Sequence, residues 1–420
     1  DTGQAARNIQ ILDVGSFEDW LKGQPETIRA IVKAYRFVAN PDSYLLLPPV
    51  GGKSDDKLVA DDFSVVAGVT DRNKLDAWSL AKLGGSLPEG NYRLQDASAK
   101  GTLFGWLISQ HEFDRYKDLP ARQGPSVLLV NDAIGQRDEA VRQAEATAMV
   151  RDMVNTPAAD MGPDKLEDIV DKLAAQHGAE LKVTRGDTLE EHFPMIHGVG
   201  KAAMRAHAPR LLELKWGRAD HPKIAIVGKG VTFDSGGLSM KSPAGMNAFR
   251  PMDILSSRKG LTVEITNTDA EGRLVLGDAL TLAGEEEPEM IIDFATLTGA
   301  ARVALGPDLP AMFCDDRAMA EGLVQAGDGE SDPLWQMPLW SGYDAMLNSE
   351  IADCVNSASG GFAGCITAAL FLKKFAPESV PWAHFDTFAW RPAAKPGRPK
   401  GGEALGLRAS WRYLQGRFGQ

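Results

Sequence analysis

Two polar segments of this chain carry residue types and spacings that could do chemistry. The first reads GKGVTFDSGGLSMK, from Gly228 to Lys241, and directly follows an apolar run typical of a buried strand. Ligands usually bind at the ends of strands in open α/β sheets, so we expect Lys229, Asp234 and Lys241 to point into a crevice. The glycines of the segment would let the backbone come close to a ligand.

The second segment reads NTDAEGR, from Asn267 to Arg273, and precedes another apolar run. If it is extended, the two-residue period of a strand directs Asp269, Glu271 and Arg273 to one face. Hard divalent cations favour carboxylate oxygen, and two neighbouring metals need bridging carboxylates. Asp234 could therefore join Asp269 and Glu271 in a two-metal hydrolytic site that needs no histidine.

Each of these residues also has a structural interpretation, which is the better supported one when a residue is taken alone. Asp234 begins the sequence DSGG, which is typical of a turn, and Asp269 or Glu271 could cap a helix. Lys229 and Lys241 would then be solvated surface lysines. The chemical hypothesis therefore depends on both segments meeting in one site.

The first segment also contains two sequences found in unrelated active sites, and its context argues against both. DSGG occurs around the nucleophile of chymotrypsin-type serine proteases, but that fold needs two β-barrels with a histidine and an aspartate upstream. A serine peptidase would remain active in the presence of a chelator. Gly228-Lys229-Gly230 lacks the GxxxxGK[ST] spacing of a phosphate-binding loop.

Two other residues with reactive side chains are predicted to belong to the core. Cys365 lies in an apolar helical run, where a cysteine most simply acts as a small apolar residue. His384 lies in the strand-like sequence WAHFD and is more simply a satisfied core histidine than a metal ligand.

The elements that must position these residues follow an α/β pattern along the whole chain. Apolar or β-branched runs predict strands at 8–14, 44–47, 63–69, 126–130, 180–183, 210–214, 224–227, 261–265 and 290–294. Amphipathic or charged stretches predict helices at 27–38, 136–154 and 163–176. We therefore predict a smaller N-terminal α/β domain (1–133), a linker helix (134–154) and a larger α/β catalytic domain (155–420) with a mixed, mostly buried central sheet.

Composition excludes several classes of protein. Of the 420 residues, 44% are hydrophobic and 24% are charged, which is the balance of a globular protein. The formal net charge of -12 argues against nucleic acid and anionic membranes as partners. No apolar run is long enough to span a membrane, no signal peptide is visible after Asp1, and three cysteines cannot form a complete disulfide framework. The expectation is a cytoplasmic protein.

Together the two segments resemble the signature segments of the leucyl (cytosol) aminopeptidase family, which consists of two-metal exopeptidases. Further stretches resemble that family in the same order. They are NTPAAD at 155–160, FATLTGAARVALG at 294–306, PLW at 338–340, IADCVN at 351–356, AGCITAALFL at 363–372 and WAHFDT at 382–387. The N-terminal domain resembles the family only weakly.

The resemblance implies a role for each metal-site residue. Asp234 and Glu271 would bridge two metals, Asp269 would complete one metal site, and Lys229 would be a ligand of the other. A lysine can coordinate only as a neutral amine, so the metal must displace its proton. Lys241 would polarise the scissile carbonyl or stabilise its oxyanion.

The resemblance also implies groups that act on the substrate and on the attacking water. The arginine matching Arg273 holds a bicarbonate ion, which acts as general base towards a metal-bound water in the family. Thr296, Leu297 and Gly299 match the loop that lines the site for the first side chain of the substrate.

The implied activity is that of a metal-dependent aminopeptidase that releases N-terminal residues from peptides, with a preference for apolar residues such as leucine. Manganese or zinc is the expected metal, with magnesium or cobalt as alternatives, and the expected assembly is a homohexamer. The competing hypothesis is a catalytically impaired oligomeric scaffold or DNA-binding regulator of the same family.

One departure from the family pattern affects the metal site. Between Met246 and Phe249 the family has several tens of additional residues, which include an aspartate ligand followed by a helix and a strand. Either the sequence in hand omits this segment or the protein lacks it and one metal site is incomplete. Loss of a buried helix and strand would expose apolar surface, and both flanks keep their pattern, which favours omission.

Overall fold

The chain divides into two compact units, each described here by itself. The computed structural model describes residues 4–49, 62–117, 124–130, 134–233 and 249–419. The first unit comprises Asp1–Asn155 and Trp390–Ala404, and the second comprises Thr156–Ala389 and Leu405–Gln420. The first unit thus includes the predicted linker helix and also residues 390–404, which the sequence predicts to lie in the catalytic domain.

The first unit is built on a five-stranded sheet. Its strands are β1 Arg7–Leu12, β2 Tyr44–Leu47, β3 Ser64–Gly68, β4 Gly90–Gln95 and β5 Ser126–Leu128, in the order β2-β3-β1-β4-β5. Only β2 pairs antiparallel with its neighbour, and the other pairs are parallel. Its helices are α1 Val14–Lys22, α2 Glu26–Ala34, α3 Ala81–Ser86, α4 Leu103–Ile108 and α5 Ile134–Asn155. Val65 and Val66 enter different apolar clusters, as the two-residue period of a strand buried on both faces requires.

A buried ion pair ties the C-terminal stretch to the long helix α5. Arg151, on α5, contacts Glu403 at 3.0 Å, and both side chains are almost fully buried. Asn155 accepts a hydrogen bond from the backbone N–H of Gly402 at 2.7 Å, where Gly401–Gly402 pairs with Trp390–Arg391 as two short antiparallel strands. These contacts explain why the stretch belongs to the first unit.

The second unit contains the mixed sheet that the sequence predicts. The strands of the unit are β6 Glu180–Arg185, β7 Arg210–Lys215, β8 Ile224–Gly228, β9 Ile254–Ser256, β10 Thr262–Glu264, β11 Met290–Ala295, β12 Ala311–Cys314, β13 Trp335–Gln336, β14 Cys354–Val355 and β15 Trp382–Asp386. Five form one sheet in the order β13-β12-β15-β11-β8, in which only the β12–β15 pair is antiparallel. Separate sheets are β6–β7 and β14-β10-β9.

Helices of the second unit cover both faces of the five-stranded sheet, and others pack against the smaller β6–β7 sheet. The helices of the unit are α6 Pro163–His177, α7 Gly186–His192, α8 Pro194–Gly200, α9 Gly272–Glu285, α10 Gly299–Leu305, α11 Arg317–Glu330, α12 Gly364–Lys373 and α13 Leu407–Phe418, with 3-10 helices at Arg205–His207 and Ser341–Leu347. Neighbouring residues of β11 belong to different clusters, since Ile291 packs with residues of α9 and α12 and Ile292 packs with residues of α11 and α13. Such double burial fixes the register of the central strands.

The carboxyl ends of β8, β11 and β15 lie at one edge of the sheet, because these three strands are parallel neighbours. Lys229 follows β8, Thr296 follows β11 and Asp386 ends β15. This is the edge at which open α/β sheets bind ligands.

The outer strand β8 leaves apolar surface exposed. Within the described part of the chain it pairs only with β11, and Ile226 is 65% exposed. A strand that lacks a neighbour and shows a large apolar side chain is unusual in a parallel sheet.

Among the described helices, none is both long and apolar enough to cross a membrane.

Candidate metal and peptide site

The side-chain amine of Lys229 contacts two described groups at the carboxyl edge of the sheet. Its Nζ lies 3.2 Å from Oε1 of Glu271 and donates a hydrogen bond to the carbonyl of Thr296 at 3.0 Å. The side chains of Lys229 and Glu271 are only 9% and 8% exposed, so water screens their interaction poorly. The structure therefore brings together two of the residues that the sequence predicts to bind metal.

Glycine at position 272 makes this approach possible. A Cβ placed on Gly272 would lie 2.6 Å from Cε and 2.7 Å from Nζ of Lys229, which is closer than real Cβ contacts come. The side chain of Lys229 therefore runs directly over the first residue of helix α9, which begins at Gly272. Only glycine leaves room for this path.

The segment NTDAEGR is not extended, and the expectation of one strand face for its side chains is wrong. Residues 268 and 269 form a turn, and Glu271 is the N-cap of α9 with helical backbone angles. The carboxylate of Glu271 makes no capping hydrogen bond, and its Oε1 lies 3.2 Å from Nζ of Lys229. Asp269 lies exposed in the turn, and its backbone N–H donates to Oδ1 of Asn267 at 2.9 Å.

A fully buried asparagine holds this turn in place. The side-chain amide of Asn356 donates to the carbonyl of Asn267 at 2.7 Å, and its Oδ1 accepts from the backbone N–H of Thr266 at 2.9 Å. The side chain of Asn356 thus satisfies backbone hydrogen-bonding groups that a neighbouring strand would pair with in an extended segment. Asn356 is the last residue of the family-like stretch IADCVN, and no local pattern indicates its role at the turn.

Arg273 is the second residue of helix α9 and is buried. Its Nη1 donates to the carbonyl of Asn356 at 2.9 Å, and its Nε has no hydrogen-bond partner among the described residues. Burial lowers the pKa of Arg273 to about 10, against the opposing charges of Asp386 and Glu271. The guanidinium is therefore still cationic at neutral pH.

The loop after β11 carries the residues that the sequence predicts to line the peptide site. Thr296 is exposed, Leu297 is half-buried, and Gly299 begins helix α10. Thr298 caps that helix by accepting from the backbone N–H of Ala301 at 3.0 Å.

Asp386 anchors this loop from the neighbouring strand. Its Oδ1 accepts from the backbone N–H groups of Leu297 and Thr298, each at 3.0 Å, and its Oδ2 accepts from the hydroxyl of Thr298 at 2.6 Å. Asp386 lies in the family-like stretch WAHFDT, but its contact with the loop is not predictable from sequence, because nothing local to either segment indicates that the two strands are neighbours.

The two residues predicted to be in the core are buried there. Nδ1 of His384 lies 2.6 Å from Oδ1 of Asp293, whose other oxygen accepts from the indole of Trp382 at 2.7 Å. Burial opposes the charged imidazole, but the charge and hydrogen bond of Asp293 outweigh it and raise the pKa of His384. Cys365 is also buried.

Two predicted site residues, Asp234 and Lys241, lie outside the described residues. Within the described part of the chain, no group of three or more histidine, cysteine, aspartate or glutamate side chains is arranged to hold a metal ion. Of the four predicted metal ligands, Lys229, Asp269 and Glu271 are described, and the structure brings Lys229 and Glu271 into contact.

Profiles of known families match most of the chain. The profile described as the catalytic domain of the cytosol aminopeptidase family matches residues 148–250 and 243–410, and the profile of the M17 aminopeptidase N-terminal domain matches residues 8–127. A probable cytosol aminopeptidase of Brucella melitensis is 32% identical over 441 residues, which cover 91% of this chain and 87% of that protein.

Solved structures are similar over nearly the whole chain. The cytosol aminopeptidase of Coxiella burnetii matches with a TM-score of 0.89 and 36% identity, covering 100% of this chain and 98% of that one. The bottromycin maturation enzyme BotP in complex with Mn matches with a TM-score of 0.83 and 26% identity, covering 98% of this chain and 100% of that one.

The comparisons also concern the additional residues that the family has between the positions of Met246 and Phe249. The aligned length of 441 residues is greater than the 420 residues of this chain, so the Brucella protein has residues for which this chain has no counterpart. The two matches to the catalytic profile overlap at residues 243–250, which is where the sequence departs from the family pattern.

Proposed function

Because the chain belongs to the cytosol aminopeptidase family, we propose that it removes the first residue of peptides, with a preference for apolar residues such as leucine, at a site for two divalent metal ions. The observation that carries the proposal is the contact of 3.2 Å between Nζ of Lys229 and Oε1 of Glu271 at the ligand-binding edge of the sheet. The manganese complex of the similar enzyme BotP supports manganese as one of the metals.

The described donors fit a metal ion. Two ligand atoms about 2.1 Å from one ion, at angles between octahedral and tetrahedral, are about 3.0–3.4 Å apart. The separation of the Lys229 and Glu271 donor atoms falls in this range. We propose that Asp234 and Asp269 would supply the remaining carboxylate oxygens, and that Asp234 and Glu271 would each help to hold both metals.

When bound, two divalent ions would acidify the attacking water and bind the free α-amine of the substrate, which limits the reaction to the N-terminal peptide bond. The residues of the chain orient the substrate around them. Leu297 and Gly299 offer backbone groups for the first residue of the peptide. Lys241 would place an ammonium charge near the scissile carbonyl and stabilise its oxyanion.

Arg273 is the proposed site for bicarbonate. It combines a buried guanidinium, a charge that persists at neutral pH, and an Nε–H without a hydrogen-bond partner among the described residues. A buried donor of this kind fits an anion that accepts the missing hydrogen bond. A bicarbonate held there would serve as general base for the attacking water.

The test is hydrolysis of leucine-p-nitroanilide after dialysis against a chelator and again after adding manganese, zinc, magnesium or cobalt. We expect activity to disappear and to return with manganese or zinc. Activity that survives the chelator would contradict the metal-dependent mechanism. A panel of aminoacyl-p-nitroanilides would test the preference for apolar N-terminal residues. We also propose that the protein is a cytoplasmic homohexamer, and sedimentation would test its assembly state.

A second candidate function follows from the interrupted match to the catalytic profile at 243–250. If the protein lacks the residues that its relatives have there, it lacks one metal-ligand aspartate and is a catalytically impaired scaffold. Inactivity with every metal would favour this candidate. A gel shift with DNA at low salt would test its regulatory form, against which the net charge of -12 argues.

A further inference from the structure

One peptide group of the loop after β11 has both of its polar atoms engaged. The N–H of Leu297 donates to Asp386 at 3.0 Å, and the carbonyl of Thr296 accepts from Nζ of Lys229, also at 3.0 Å. These two atoms belong to the same planar trans peptide, in which N–H and C=O point in opposite directions. Fixing the direction of the N–H therefore fixes the direction of the carbonyl.

We propose that Asp386 is a positioning residue, which sets the orientation of Lys229 through the peptide plane between Thr296 and Leu297. Among the described residues, Nζ of Lys229 is held by the carbonyl of Thr296 and by the carboxylate of Glu271. Rotation of the peptide would withdraw that carbonyl from the amine.

Asp386 is well placed to prevent this rotation. It is 3% exposed and uses both carboxylate oxygens on the loop, including a bond of 2.6 Å to the hydroxyl of Thr298. Its neighbours in register on the two adjacent strands are Ala295 and Ala311, whose small side chains leave the carboxylate space to reach the loop. Charged acceptors also form stronger hydrogen bonds than neutral ones.

The chain offers a matched control for this residue. Asp332 is also 3% exposed, and it accepts backbone N–H groups of Gly406, Arg408 and Ala409 at 3.0 to 3.1 Å. It anchors the start of helix α13 as Asp386 anchors the loop, but none of its hydrogen bonds involves that loop or Lys229. Loss of either carboxylate removes a comparable set of buried hydrogen bonds.

The test measures how fast Lys229 reacts with acetic anhydride, by mass spectrometry of the peptide that contains it, with Lys215 and Lys223 as references. In Asp386→Ala we expect labelling of Lys229 to rise about 10-fold or more, because two buried N–H groups lose their acceptor. In Asp386→Asn, which keeps a neutral acceptor, we expect about fivefold. In Asp332→Ala and Asp332→Asn, labelling of Lys229 should stay at the wild-type rate.

Equal labelling of Lys229 in the Asp386 variants and the matched Asp332 variants would overturn the proposal, since the effect would then be general loosening. If Asp386→Ala does not fold, Asp386→Asn decides, and a wild-type rate of labelling in that variant rejects the proposal. Circular dichroism and thermal melting show which variants are folded.

The catalytic consequence rests on the proposed function, whereas the labelling test needs neither metal nor activity. A residue that orients a metal ligand typically affects metal affinity 10- to 100-fold, so manganese titration by calorimetry should show such a loss in Asp386→Asn and none in Asp332→Asn. Wild-type protein that binds no manganese and cleaves no peptide would refute the proposed function, and the labelling rates would still decide the role of Asp386.

Discussion

Replacing Gly272 by alanine should separate activity from stability. The new Cβ would lie 2.6 Å from Cε of Lys229, whereas carbon atoms in contact prefer about 3.5–4.0 Å, so the lysine side chain must move by about 1 Å. A misplacement of about 1 Å of a group in an active site can lower the rate about 100-fold. That loss corresponds to about 2.7 kcal/mol of transition-state stabilisation.

The same substitution should change the free energy of unfolding little. Gly272 does not require a left-handed backbone, and alanine in a helix is favoured over glycine by about 0.5–1 kcal/mol. This gain offsets part of the steric cost, which falls on the mobile end of the Lys229 side chain. Gly416→Ala is the matched control, because Gly416 also lies in a terminal turn of a helix and its Cβ would meet nothing within 4 Å.

The assay is kcat/KM for leucine-p-nitroanilide in saturating manganese, together with urea unfolding of each variant. We expect Gly272→Ala to lose about 100-fold in kcat/KM and Gly416→Ala to keep the wild-type value. Wild-type activity and manganese affinity in Gly272→Ala would refute the reasoning, since Lys229 would then not need its observed position.

Three further predictions concern buried ionisable groups. Burial raises the pKa of Asp278 to about 6, against backbone hydrogen bonds from Arg258, Ile196 and Met195, so its favourable contribution to stability is complete below about pH 4 and is lost as pH rises through 6. Urea unfolding from pH 4 to 7 should therefore show a loss of about 3 kcal/mol at this residue, which Asp278→Asn removes. Burial also raises the pKa of Cys314 to about 12 and of Cys354 to about 11, so neither thiol should react with iodoacetamide at pH 8 until the protein is unfolded; rapid labelling of the native protein would contradict their burial. Arg273→Ala should lower kcat at least about 100-fold with little change in KM, as expected for loss of the general base, and a matching rise in KM alone would instead assign Arg273 to substrate binding.

Local sequence patterns predict most of the elements but not all of them. The runs at 44–47 and 290–294 become β2 and β11 because they are apolar and β-branched or bounded by turn residues. Strand β4, Gly90–Gln95, escapes prediction because glycine, asparagine and arginine disfavour strands locally. It forms because β1 and β5 pair with it on either side.

Residue types and their spacing along the chain are enough to assign the α/β class, the family to which the chain belongs, and the two segments that contain Lys229 and Glu271. These features are local, since they depend on residue type, spacing and periodicity within about ten residues of the chain. The match to the family profiles rests on the same information.

How those two segments meet depends on contacts between residues that are far apart in the chain. The sequence left open whether NTDAEGR is extended or caps a helix, and Asn356 satisfies the backbone of a turn there from 89 residues away. The lysine passes over Gly272, and Asp386 reaches Leu297 across the β11–β15 pair. The physical reason is that these contacts depend on strand order and register, which are set by burial on both faces of the sheet and not by neighbours in the sequence.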